Sequence, residues 1–122
     1  MEADVRTRLV ENRKLGNLFV IAGQVASGSA FTHDFIRVTG KLHNRWGFVR
    51  EESAYCGNLL SDEELRIMDL EEIRKRLENR YGNVTSNIGL KAGMRIPFVL
   101  VFANLPPDLE ILESYTLEIA SD

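Results

Sequence analysis

The groups in this 122-residue chain that could do chemistry are two histidines, one cysteine and eighteen acidic side chains. His33 and His43 lie ten positions apart along one strand-like stretch. At about 3.3 Å per residue, an extended chain holds them roughly 33 Å apart, so they share an ion only if the chain folds back. Asp34 adjoins His33, but no ligand set with zinc-like spacing forms. Neither a metal nor a cofactor is expected. Cys56 is the single cysteine, so it makes no internal disulfide and builds no zinc site alone. At the end of a strand-like run it reads as a small buried apolar side chain rather than a reactive thiol.

Acid–base catalysis needs two carboxylates facing a cleft. Glu51, Glu52, Asp62, Glu63 and Glu64 are candidates by type. The last three open a helix, where negative charge suits the macrodipole, and that role accounts for them. A nucleophile elbow is missing, and Ser53 and Ser61 have no evident histidine partner. Ser27-Gly28-Ser29 is too short for a phosphate loop. Asn83-Val84-Thr85 matches a glycosylation sequon, a match short enough to arise by chance. The chain is therefore not expected to be an enzyme.

One surface feature stands out, the turn His43-Asn44-Arg45-Trp46-Gly47. A Trp beside an Arg at a loop tip has the composition of a binding anchor. His43, Arg45 and Trp46 are the candidate binding surface. The alternative is that Trp46 folds back over Gly40 into the core.

Hydrophobic rhythm supplies the scaffold for these groups. Hydrophobic side chains make up 44 % of the chain, enough for one domain with a real core. Residues 1–15 mix both charges and read as a linker or a loose first strand; residues 16–122 read as one domain. Asn17 to Ser27 alternates as a strand, with Phe19, Ile21 and Val25 on one face and Leu18 and Val20 on the other. His33 to Asn44 alternates again, with Ile36, Val38 and Leu42 opposite Arg37, Thr39 and Lys41, the mark of a sheet wet on one side. Gly47 to Tyr55 returns as a third strand.

Ser61-Asp62-Glu63-Glu64 has the form of a capping box, and Asp69-Leu70-Glu71-Glu72 repeats it. Two helices meeting near Met68–Asp69 are expected. In the second, Leu70, Ile73, Leu77 and Tyr81 form one stripe, and Gly82 ends it. A short strand is expected near Asn87–Leu90. Met94 to Phe102 is extended and covered on both faces, with Pro97 requiring an edge or a bulge. Leu109 to Ala120 is the last strand, with a bulge around Glu113-Ser114.

Net charge is −3 and the pI about 5.4. That balance gives no general attraction to phosphate backbones, so nucleic acid is not an expected partner. No stretch reaches the roughly 20 apolar residues of a membrane helix, so direct membrane insertion is not expected either.

Gly23-Gln24-Val25-Ala26-Ser27 resembles the G-x-V-x-N element of the FxLYD immunoglobulin-like domains of bacterial envelope proteins. Ile36 to Asn44 resembles their next strand, and Lys91-Ala92-Gly93-Met94-Arg95-Ile96-Pro97-Phe98 their late turn and strand. A closer likeness is to a related uncharacterised bacterial domain that usually follows an N-terminal zinc ribbon and one membrane helix. Tyr55-Cys56-Gly57-Asn58 and the subsequent Leu60-Ser61-x-x-Glu64-Leu65 resemble its connector into the helices. The likeness spans most of residues 16–120. Gly40 replaces that family's aromatic, His43 its Tyr, Asn44 its Asp and Ser27 its Asn. Gly40 would leave a hole on the inner face for Trp46 or Phe48 to fill.

Together these give an immunoglobulin-like antiparallel β-sandwich with a helical insertion at about 61–82. The expected function is a non-enzymatic interaction module that engages a protein or envelope component, with edge-strand pairing as one mode. By resemblance alone it is the extracytoplasmic domain of a membrane-anchored bacterial protein, on the periplasmic side of the inner membrane. The alternative is a small-ligand-binding domain with a pocket between helical insert and sheet, lined in part by Tyr81.

Overall fold

A computed structural model describes residues 2–28, 30–44, 47–105 and 112–121. Its elements are β1 (Glu2–Asn12), β2 (Gly16–Ala26), β3 (Arg37–Asn44), β4 (Gly47–Tyr55), α1 (Asp62–Ile67), α2 (Leu70–Leu77), β5 (Arg95–Phe102) and β6 (Leu112–Ala120). Two antiparallel three-stranded sheets have the orders β1-β2-β5 and β4-β3-β6. These are the immunoglobulin-like pairings of strands A, B and E against C′, C and F. The two helices occupy the place in the chain of strand D. Among the described residues no seventh strand lies beside β6.

Alternation along β2 and β5 assigns the two faces of their sheet. Ile21 pairs with Leu100, Val25 with Ile96 and Phe19 with Phe102, so these side chains share the face toward the second sheet. Phe98, Phe102, Val38 and Leu42 are buried between the sheets. Each such side chain contributes about 1.5–3 kcal/mol when fully buried. Leu18, Val20, Val99 and Val101 point the other way and are buried too. The helices cover that face. Arg8 and Asn12, on the same face of β1, bond to Asp62 and to the carbonyls of Leu65 and Met68. The result is three layers, helix pair on sheet on sheet, with Leu65, Ile73 and Leu77 buried.

Several expectations change in detail. Residues 2–12 form an eleven-residue strand, in register with β2 from Glu2↔Ala26 to Asn12↔Gly16. The strand expected from His33 starts only at Arg37, because Phe35 takes a left-handed φ of 51° and His33 makes a lone bridge to Leu90. Helix α2 ends at Leu77, so Tyr81 leaves the stripe and is half exposed. The space over Gly40 is filled from the opposite sheet. A Cβ there would stand 2.8 Å from Leu100 Cδ1 and 3.3 Å from Phe102 Cζ; Trp46 and the side chain of Phe48 lie outside what the structure describes.

Pro97 does sit on an edge strand. Its carbonyl accepts from Gly57 N–H at 2.7 Å, on the side away from β2. A strand residue's N and C=O point the same way, so the missing N–H falls outside the β2–β5 ladder.

Candidate functional site

The expected binding turn begins at His43, the penultimate residue of β3. Its Nε2 lies 3.3 Å from Thr116 Oγ1. Arg45 and Trp46 lie outside the described residues. Both neighbours of β3 bulge at this end. Pairing passes from Leu42↔Arg50 to His43↔Phe48, skipping Val49, and from His43↔Ser114 to Asn44↔Leu112, skipping Glu113. The bulge expected near Glu113-Ser114 is therefore present. Paired bulges bend this end of the sheet.

The other reactive groups are dispersed. His33 Nδ1 lies 2.8 Å from Ser121 Oγ, and its buried Nε2 has no hydrogen-bond partner among the described residues. Among the described residues no group of three or more His, Cys, Asp or Glu could hold a metal ion. Cys56 is fully buried, and desolvation pushes its thiol up to about 12. Glu64 closes the capping box of α1, accepting from Ser61 N–H at 3.1 Å while Ser61 Oγ accepts from Glu64 N–H at 3.1 Å. The Ser61 backbone bond, reinforced by Arg76 at 3.0 Å, holds that carboxyl below its ordinary range. Asp69 is lowered likewise by Lys14 at 2.8 Å.

Three buried asparagines tie the connecting segments to the sheets. Asn12 Nδ2 donates to Leu65 O at 2.6 Å and Met68 O at 2.9 Å, satisfying carbonyls left open at the end of α1. Asn58 Nδ2 donates to Asn79 O at 2.7 Å, and its Oδ1 accepts from Asn83 N–H at 3.0 Å. Asn87 bonds both backbone groups of Ile36. Sequence reasoning missed all three, since an asparagine in a polar stretch looks like a turn residue.

A cleft of about 330 Å³ opens between α2 and β4, where the alternative reading expects a pocket. Ala54, Ile73, Leu77 and Val101 give it an apolar floor, and Arg37 stands on its rim. Arg74 reaches Glu52 across it at 3.2 Å. Tyr81 does not line it. That ring packs edge-on against Phe35, 5.4 Å between centroids, with the Arg80 guanidinium over both rings.

The long sides of the sandwich differ. On one, the chain bridges β4 and β5. Gly57 bonds to Pro97 at one end, and Arg50 donates to Ala103 O at 3.1 Å and Asn104 O at 2.9 Å at the other. The edge that Pro97 marks is thus engaged by the chain itself. On the opposite side β1 and β6 are both edge strands and do not pair. Among the described residues no helix is long and apolar enough to cross a membrane.

Comparison with protein-family models, with curated proteins and with solved structures finds no match.

Proposed function

We propose that this chain is a non-enzymatic interaction module. By its likeness to the zinc-ribbon-associated bacterial domain, it works outside the cytoplasm as part of a membrane-anchored protein and engages a protein or envelope component. The observation that carries this reading is the asymmetry of the sandwich. One side is bridged by the chain's own residues, and the other leaves two edge strands without strand partners among the described residues. Unpaired strand edges are templates for other chains. The dispersal of the reactive groups supports a binding role over a catalytic one: the thiol is buried, Glu64 closes the cap of α1 and Asp62 pairs with Arg8.

Selection of a displayed random-peptide library against the folded chain tests this. Peptides that bind the native chain and not the urea-unfolded one are expected. Failure to enrich any, against a control domain that does, removes the reading.

The cleft beside α2 favours a second reading, a small-ligand domain. Its volume sits at the low end for small-molecule sites, and its apolar floor with a charged rim suits an amphipathic ligand. A thermal-shift screen separates the two. A bound small molecule at one hundred times its Kd adds about 2.7 kcal/mol of stability. The interaction module predicts no such shift.

A further inference from the structure

The open side of the sandwich is more than two bare edges. Tyr115, Leu117 and Ile119 pair with Leu42, Gly40 and Val38, so alternation turns them toward the core. Yet Tyr115 is 37 % exposed, and Leu117 and Ile119 are only partly buried. Across from them, Ala3, Val5 and Leu9 of β1 share the inward face with Val25, Gly23 and Phe19. Ala3 and Val5 are partly buried and Leu9 is 54 % exposed. Inward-facing apolar side chains on both sheets are thus uncovered along one line. β6 stands in the place of strand F, and among the described residues no strand lies beside it.

A polar face adjoins this seam. Ser114, Thr116 and Glu118 point outward on β6, opposite His43, Lys41 and Thr39. Lys41 is shared between Glu118 at 3.3 Å and Glu51 at 3.8 Å. One cation faces two carboxylates there, and the Glu118 side chain remains 67 % exposed.

We infer that the unpaired edge of β6 takes up an extended peptide segment from a partner protein as a seventh strand. Alternate apolar side chains of the segment fill the seam between β6 and β1, and a Lys or Arg on its outward face meets Glu118. Each part of the site selects one property of the occupant. The N–H and C=O groups along the β6 edge, which no described strand pairs, demand an extended backbone. The seam demands large apolar side chains at every second position. The Glu118 carboxylate, largely exposed on the outer face beside the edge, favours a basic residue on the other parity. This deepens the interaction-module reading and rests on it.

The test uses peptides selected from the displayed library, with hydrogen–deuterium exchange on the whole chain. Binding is expected to slow exchange at amides of residues 112–120 and to leave α2 and β4 unchanged. Glu118→Lys is expected to weaken lysine- or arginine-bearing peptides at least tenfold and to improve their glutamate-substituted counterparts. Leu117→Asp is expected to abolish binding. Because Leu117→Asp could unfold the chain, Glu118→Lys on the exposed face carries the decision. Selected peptides that protect residues elsewhere overturn the seam while the interaction module survives. Small-molecule stabilisation with no peptide enriched removes both. Concentration-dependent dimerisation that protects residues 112–120 without peptide makes the occupant a second copy, and overturns the proposal as stated.

Discussion

Asn87 stands in for a strand against Ile36. Ile36 N–H donates to Asn87 Oδ1 at 3.0 Å, and Asn87 Nδ2 donates to Ile36 O at 3.0 Å, with both residues buried. One side-chain amide thus repeats the paired bonds a neighbouring strand would make just before β3 begins. Asn87→Ala leaves the Ile36 N–H buried without a partner, at about 1–3 kcal/mol, while the Ile36 carbonyl keeps the bond it accepts from Cys56 N–H at 2.9 Å. Urea unfolding should show a loss of about 1–3 kcal/mol. Asn83→Ala, at an exposed side chain nearby, should stay within about 0.5 kcal/mol of the parent. Equal effects at the two positions would show that the Ile36 pairing contributes nothing.

Cys56 should report on unfolding. Its thiol is fully buried and raised to about 12, so almost no thiolate exists in the folded chain at neutral pH. A thiol reagent should label it at the rate of global opening, and each kcal/mol lost by a destabilising substitution should raise that rate about fivefold. The pH dependence has a definite sign. The unfolded thiol ionises near its ordinary value while the folded one stays protonated, so the native state holds more protons. Stability is therefore full below pH of about 8.5 and falls as pH rises toward the folded value. Cys56→Ala should flatten that alkaline limb in thermal melts run from pH 7 to 11.

What the sequence made legible was whatever has a period. The alternation in β2, β3 and β5, the two capping boxes and the apolar pair Ile73 and Leu77 all lie where rhythm placed them. Strand β1 was harder to read because it is an edge. Asp4, Arg6 and Arg8 alternate on one face and blunt the edge with charge, which makes a strand look like a linker. The early end of α2 reflects a competing bond. Asn58 takes the Asn79 carbonyl just past the helix, and Asn87 N–H takes that of Tyr81, so residues 79–87 pack as a turn. Neither bond has a sequence signature. The seam beside β6 was not legible at all, because it depends on which strands pair and not on the period of any one of them.

The meeting of Gly57 and Gly82 sets how closely the helical insert returns to the sheet. Both have left-handed φ, 90° and 77°, and a Cβ on either would collide with the Thr85 carbonyl. Gly57 O also accepts from Val84 N–H at 3.0 Å and Thr85 N–H at 3.1 Å. Gly57→Ala combines an unfavourable φ with a backbone clash, so the loss should exceed the roughly 1 kcal/mol of a strained φ alone. Gly93→Ala has a similar φ of 82° but open space around it, and should cost about 1 kcal/mol. The difference between the two in chemical denaturation measures the crowding. If they match, the approach of residues 82–85 to Gly57 is not tight.

The capping box of α1 should be visible in the acid limb of stability. Glu64 is more acidic in the folded chain, chiefly because it accepts from Ser61 N–H and secondarily because Arg76 lies beside it. A lowered carboxyl gives stability that is present above the ordinary carboxylate range and lost as pH falls through the folded value. Glu64→Gln keeps an acceptor for Ser61 N–H and removes the charge. It should leave the helix in place, reduce stability at pH 7 and narrow the difference from the parent as pH falls to 3. Ser61→Ala should cost about 1 kcal/mol at pH 7 through the lost cap to Glu64 N–H. Because the two residues share one box, Ser61→Ala combined with Glu64→Ala should cost less than the sum of the single changes. Strict additivity in that cycle, or a pH-independent effect of Glu64→Gln, would mean that the two bonds act separately and that α1 is held by the burial of Leu65 and by its bonds to Arg8, Asn12 and Arg13.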